Sequence, residues 1–221
     1  MKPDVSPLDN QSHQSSWEHN AASWIAAVRA RALPSRRITD EALVSRIGTR
    51  PWRALLDLGC GEGWLLRRLS AAPGTRLCGV DGCAALIDAA RAAHPEASYF
   101  CSGYAALVQS DPLAEQRYDW VVLNFALFGA AEDEMALRFA LEHLSPIGRV
   151  LIQTLPAAAE LRAQCETFAG LPGQWTPMPY RLRSVPDWQA LARAAGATEC
   201  DVTTVYDDQH NPLSLLLELR P

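Results

Sequence analysis

Lysine is almost absent. The chain holds one, Lys2, beside 19 arginines and 25 acidic residues, for a formal net charge of -5 over 221 residues. That balance argues against a protein whose main task is gripping phosphate backbones, while a local arginine patch leaves RNA open as a lesser alternative. Long apolar runs are missing as well. Nothing approaches the ~20 residues needed to cross a bilayer, and the N-terminal stretch MKPDVSPLDNQSHQSS has no apolar signal core, so neither a membrane partner nor export is expected. The six cysteines, Cys60, Cys78, Cys83, Cys101, Cys165 and Cys200, form no C-x-x-C pair. Most sit in apolar runs that read as strands, which fits buried reduced thiols in the cytoplasm, with no metal required.

What is present suits one sizeable domain: 48% of the residues are hydrophobic. Residues 1–16 offer little to bury and read as a mobile tail, with order beginning near Trp17. Trp17, Ala21, Trp24, Ile25 and Val28 recur at helical spacing up to Pro34, and a second helix is expected to start at Thr39 as its cap. After Pro51, strands at 54–58, 76–80, 97–101, 120–124 and 150–154 alternate with helices at 64–71, 84–94, 104–108 and 132–144. A helix over 186–195, closed by Gly196, precedes two apolar segments, 199–206 and 213–219, joined by the polar DDQHNP. The expected fold class is α/β: a Rossmann-like, doubly wound, seven-stranded mixed sheet of five parallel strands and an antiparallel C-terminal pair, with an N-terminal helical extension. Within a single domain spanning 17–221, residues 17–50 form the extension, 51–156 the core and 157–221 an insert and the closing hairpin.

The stretch LLDLGCGEGWLLRRL, residues 55–69, places Gly59, Gly61 and Gly63 between the first strand and the first helix, where ligands bind in open α/β sheets. A dinucleotide fingerprint wants a third glycine where Trp64 stands, and a phosphate loop wants a Gly-Lys-Ser/Thr that is missing. The turn is therefore poorly suited to pyrophosphate, which counts against a nicotinamide-dependent oxidoreductase. The next strand, RLCGVD, ends in Asp81, a carboxylate placed to accept both hydroxyls of a ribose.

With Asp57 inside the first strand and the G-x-G-x-G spacing, this arrangement resembles the class I S-adenosylmethionine-dependent methyltransferases. YDWVVLNFALF, residues 118–128, resembles the fourth-strand motif of that family, and LSPIGRVLIQTLP, residues 144–156, its turn and fifth strand. The resemblance implies S-adenosylmethionine as cofactor and S-adenosylhomocysteine as product. It puts Gly59, Gly61 and Gly63 under the methionine and ribose, Asp57 near the amino group, Asp81 on the ribose hydroxyls and Gly82 along the adenine. Ser102, Gly103 and Tyr104 stand where the family often presents an acid to the adenine; no acid is present here, so backbone or the Tyr104 ring takes that place. Asn124 would reach the amino group, and of Arg36 and Arg37 the former is the candidate grip on the carboxylate.

Methyl transfer is an in-line displacement, so the protein supplies alignment and a dry cavity more than a reagent. His19, on a helix that often forms a lid in this family, is the candidate catalytic residue; His143 reads as structural at a helix C-terminus. Phe125, Phe128, Trp175, Met178, Tyr180 and Arg181 are candidate substrate contacts, with packing against the sheet as the alternative for the aromatic ones. The expected activity is methyl transfer to an oxygen or nitrogen of a small-molecule metabolite by a monomer or homodimer, with no nucleic acid or membrane partner. An RNA methyltransferase and a non-catalytic S-adenosylmethionine-binding protein are the alternatives.

Overall fold

Sequence periodicity becomes structure strand by strand. In a computed structural model, which describes residues 10–70, 74–128, 131–157, 175–176 and 181–221, the parallel strands are β1 (Ala54–Leu58), β2 (Arg76–Asp81), β3 (Ser98–Cys101), β4 (Tyr118–Asn124) and β5 (Leu144–Thr154). An antiparallel pair, β6 (Glu199–Tyr206) and β7 (Pro212–Arg220), completes one sheet in the order β3-β2-β1-β4-β5-β7-β6. The helices are α1 (Asn10–Arg29), α2 (Arg36–Ile47), α3 (Trp64–Leu69), α4 (Ala84–Ala93), α5 (Tyr104–Ser110), α6 (Glu132–Glu142) and α7 (Val185–Ala195). This is the Rossmann-like seven-stranded mixed sheet expected from the sequence.

All five residues of β1 are buried because both faces of the sheet are covered. Leu56 and Leu58 join one cluster with Val121, Ile152, Phe139 and Trp188, against α6 and α7. Leu55 points to the other face and packs with Leu43, Ile47, Leu65 and Ile87, from α2, α3 and α4. The period of two along the strand thus feeds two cores. The order reverses between β1 and β4, and the carboxyl ends on either side of that switch point frame the site.

Three boundaries differ from expectation. The helix expected near Trp17 runs back to Asn10 as α1, so residues 10–16 are helical rather than tail. Trp17 packs edge-on to Trp24, 5.5 Å between centroids, and extending a nucleated helix by two polar turns costs little. The second helix begins at Arg36 with Ser35 as its cap residue; Thr39 lies inside it, 1% exposed, its carbonyl accepting from Gln153 Nε2. Pro34 and Ser35 already turn in helical geometry, with Arg37 N donating to the Pro34 carbonyl, so the helix starts a turn early. Strand β5 reaches back through the Pro-Gly segment to Leu144, which pairs with Tyr118 across a register shift. Of the thiols expected to be mostly buried, Cys60, Cys78 and Cys83 are buried, Cys200 is half-buried and Cys101 is exposed at the end of an edge strand, while Cys165 lies outside the described residues. The glycine closing α7 behaves as expected, Gly196 taking a left-handed φ of 110°.

Candidate active site

A cavity of about 790 Å³ opens over the carboxyl ends of β1 to β5, roofed by α1 and α2. One end is walled by Gly61, Asp81, Gly82 and Ser102 to Tyr104; the other by Phe125, Leu127, Phe128, Asp133, Leu155 and Arg181. Its volume lies within the ~300–1,000 Å³ typical of small-molecule sites.

The three glycines of the first turn answer to three different neighbours. A Cβ on Gly59 would stand 2.4 Å from Ala126 Cβ, so that position is closed by the loop after β4. A Cβ on Gly63 would meet the Tyr99 hydroxyl at 2.8 Å and Ala90 at 3.0 Å; Gly63 serves helix packing and is not part of the cavity wall. Gly61 faces the cavity, with only Trp24 Nε1 near, at 3.8 Å from its would-be Cβ. Ligand approach therefore explains Gly61, with Gly59 in the wall beside it, and does not explain Gly63.

Asp81 ends β2 with both oxygens engaged: Oδ2 accepts from Gly61 N at 2.9 Å and Oδ1 from Cys83 N at 2.8 Å. One carboxylate thus fixes both the glycine turn and the start of α4, and its remaining exposure is to the cavity. Burial pushes its pKa up, against the two N–H donors that favour its charge. Asp57 sits behind the wall rather than in it, 2% exposed, with no hydrogen-bond partner for Oδ1. Burial first, then the Asp81 carboxylate, push it up to about 8 against the opposing pull of Arg36. Asn124 ends β4 in the wall with a buried, unpartnered Oδ1. The next residue, Phe125, takes φ 50°, a left-handed conformation costly for a bulky side chain and common where a functional loop is held. Gly82 and Gly103 meet across the β2 and β3 ends, the would-be Cβ of Gly82 3.5 Å from Gly103 Cα, and Tyr104 donates its hydroxyl to the Ala126 carbonyl at 3.2 Å.

Arg36 comes into the wall as expected. His19 does not: it is exposed on α1, its Nδ1 2.7 Å from the Ser15 carbonyl, and it is absent from the cavity. An apolar stripe turned inward at Trp17, Ala21 and Trp24 leaves position 19 on the outer side of the helix. At the far end Phe128 stacks obliquely on Trp17, 6.0 Å between centroids, and the Arg181 backbone N–H donates to the Phe128 carbonyl at 2.9 Å. The Arg181 side chain is exposed at the cavity edge with no partner among the described residues. Trp175 stands outside the cavity wall, and Met178 and Tyr180 lie outside the described residues.

Several contributors carry no motif. Buried Asn20 clasps Thr176 through two hydrogen bonds, Nδ2 to the Thr176 carbonyl at 2.9 Å and Thr176 N to Oδ1 at 2.8 Å, tying α1 to the segment before Arg181. Asp133, buried at the start of α6, pairs with Arg183, whose guanidinium lies 4.9 Å from the Trp188 ring centroid. Trp24 and Trp64 flank Arg36. In sequence each reads as core or helix surface, because its partner is remote along the chain.

The strand order and the cavity at its switch point define a class I, Rossmann-like methyltransferase fold. Residues 55–148 match the family described as a methyltransferase domain. The malonyl-[acyl-carrier protein] O-methyltransferase of Erwinia billingiae (strain Eb661) is 27% identical over 183 residues, covering 82% of this chain and 62% of that protein. The enzyme of the same name from Hahella chejuensis (strain KCTC 2396) is 32% identical over 116 residues, 52% of this chain and 41% of that one. The chain thus spans less than two thirds of the length of these curated relatives. Magnesium protoporphyrin IX methyltransferase from Synechocystis PCC 6803, solved with bound SAH, superposes with a TM-score of 0.68 at 16% identity, covering 96% of this chain and all of that one. The methyltransferase-domain match over residues 55–148 takes in β1 to β4 and the start of β5.

Proposed function

We propose that the protein transfers a methyl group from S-adenosylmethionine to a carboxylate oxygen of a small acceptor. The cofactor end of the cavity suits an adenosyl amino acid. Asp81 offers a carboxylate to a ribose, Gly82, Ser102, Gly103 and Tyr104 line the wall that would take the adenine, and the orphaned Asn124 Oδ1 awaits a donor such as an ammonium. Arg36 would receive the carboxylate, while Asp57, behind the wall, would act on the ammonium by charge alone. When bound, the cofactor supplies an electrophilic methyl on a sulfonium. The chain's own part is to hold the acceptor in line and exclude water.

The observation that carries the choice of acceptor is the far end of the cavity. Among the described residues its wall holds no histidine; its acids are the half-buried Glu132 and the buried Asp133, which is committed to Arg183. A phenol or amine must lose a proton during transfer, whereas a carboxylate arrives without one and needs no base. The Arg181 side chain, at the same edge, supplies a cation to steer such an anion. Both curated relatives are named as O-methyltransferases, which agrees with oxygen as the acceptor atom.

The test is calorimetric titration with S-adenosylmethionine, S-adenosylhomocysteine and NAD, then incubation with methyl-labelled cofactor and panels of carboxylic acids, phenols and amines. Binding of the first two ligands without NAD, and label released as methanol by mild base, is expected of a methyl ester. Label stable to base would overturn the carboxylate reading, and binding by NAD alone would overturn the cofactor reading.

A further inference from the structure

Phe125 stands at φ 50°, a left-handed backbone that glycine or asparagine takes at little cost and a bulky side chain does not. The conformation is imposed from three directions. Its own N–H donates to the Gln153 carbonyl at 2.8 Å, just beyond the last β4 to β5 pair, Asn124 with Gln153. The next residue, Ala126, is buried against Gly59, whose would-be Cβ falls 2.4 Å from the Ala126 Cβ, and the Ala126 carbonyl accepts from the Tyr104 hydroxyl at 3.2 Å. A turn needed only for its path would carry glycine here.

Packing does not account for the ring. Phe125 is half-buried, joins none of the three apolar clusters and meets no other ring among the described residues, whereas Phe128, three residues on, stacks on Trp17. What Phe125 does line is the cavity, at the step from Asn124 to Leu127 and Phe128, where the cofactor end gives way to the acceptor end. A strained backbone that holds a large side chain against a cavity, and not against a core, marks a ligand contact. Leu127, Phe128 and Leu155 share that wall, with the exposed Arg181 side chain at its edge. A short polar acid would leave these apolar faces against water, and a flexible chain would lose rotamer freedom on lying along them. A flat aromatic body loses little and gains a ring-to-ring contact, roughly two- to tenfold in affinity beyond the area covered.

Resting on the carboxylate reading above, we infer that Phe125 is a specificity-determining residue and that the acceptor is a carboxylic acid with an aromatic body, laid on the Phe125 ring so that its carboxylate faces the cofactor end. There a carboxylate lone pair forms the new O–C bond while the S–C bond breaks with its electron pair to sulfur, leaving a methyl ester and a neutral thioether with no proton to remove.

The experiment measures methyl ester formation from methyl-labelled S-adenosylmethionine with cinnamate, octanoate and malonate, on wild type and Phe125→Leu, beside S-adenosylhomocysteine calorimetry on both. Wild type is expected to use cinnamate with a kcat/KM about threefold or more above octanoate and about tenfold above malonate. Phe125→Leu should bring cinnamate down to the level of octanoate, chiefly through KM, and leave S-adenosylhomocysteine binding in place. The strain has its own readout: Phe125→Gly should unfold at higher urea than Phe125→Ala, the reverse of the order at an ordinary position. Octanoate or malonate matching cinnamate on wild type, a cinnamate preference that survives Phe125→Leu, a weakening confined to S-adenosylhomocysteine, or Phe125→Ala as stable as Phe125→Gly each overturn the inference alone. No ester from any of the three acids, with S-adenosylhomocysteine bound, overturns the carboxylate reading and this inference with it.

Discussion

Burial and the neighbouring Asp81 push Asp57 up to about 8 from an ordinary value of 3.8. Across that window the folded chain holds a proton that the unfolded chain has released, so this residue makes stability fall as pH rises. Its contribution is complete below about 3.8 and lost as pH passes about 8. Asp57→Asn removes the slope, so the melting temperature of wild type minus that of the variant should decrease steadily from pH 5 to pH 8.5. Parallel curves would mean that Asp57 is already ionised in the fold. The glycines give a second test at this scale. Gly61→Ala meets no clash, only Trp24 Nε1 at 3.8 Å, and at φ 56° should cost about 1–2 kcal/mol for the left-handed backbone. Gly59→Ala adds a clash, its Cβ 2.4 Å from Ala126, and should cost a further ~1–3 kcal/mol in urea denaturation. Equal costs would contradict the different surroundings assigned to the two positions.

At the scale of elements, α1 is held over the cavity by the Asn20 and Thr176 clasp and by Trp17 against Phe128. Asn20→Ala strands the backbone N–H and carbonyl of Thr176, at a cost of about 1–3 kcal/mol. Because the clasp lies outside the sheet, amide exchange should speed up in α1 (Asn10–Arg29) and stay slow in β4 and β5. Unchanged protection of α1 would show that its apolar contacts alone hold it. The same element shows where sequence reading stops. The strands were legible because each is a short apolar run ended by a turn, and Gly61 and Asp81 because they stand where such runs end. Thr39 looked like a cap by residue type, yet the helix followed from the Pro34 turn before it. Ser35 offered no capping hydrogen bond to read. Asn20, Trp24 and Trp64 were illegible as site residues because their roles arise when α1 crosses the glycine turn, a contact that local periodicity does not encode. The same ignorance of which way α1 faces made His19 look available.

For the whole molecule, the cavity draws its walls from both halves of the sheet and from the N-terminal helices, with the β1 and β4 seam between them. A ligand seated there cross-links these parts, and ligand that binds only the native state raises stability by RT ln(1 + [L]/Kd). At a free concentration about 100 times Kd that is about 2.7 kcal/mol. For a domain of this size, each kcal/mol shifts the melting temperature by roughly 2–4 °C. S-Adenosylhomocysteine should therefore raise the midpoint by about 5–11 °C, an increment that grows with the logarithm of concentration. Far-ultraviolet circular dichroism reports the sheet and helices, while quenching of tryptophan emission by a ligand in the cavity reports Trp17, Trp24 and Trp64 in its wall, apart from Trp120 and Trp188 buried in the cores. Both should shift together in one transition if cofactor binding and folding are coupled across the sheet. A shift in tryptophan emission alone would mean that the ligand orders the roof without stabilising the sheet beneath it, and the two halves would then have to be treated as separately folding units.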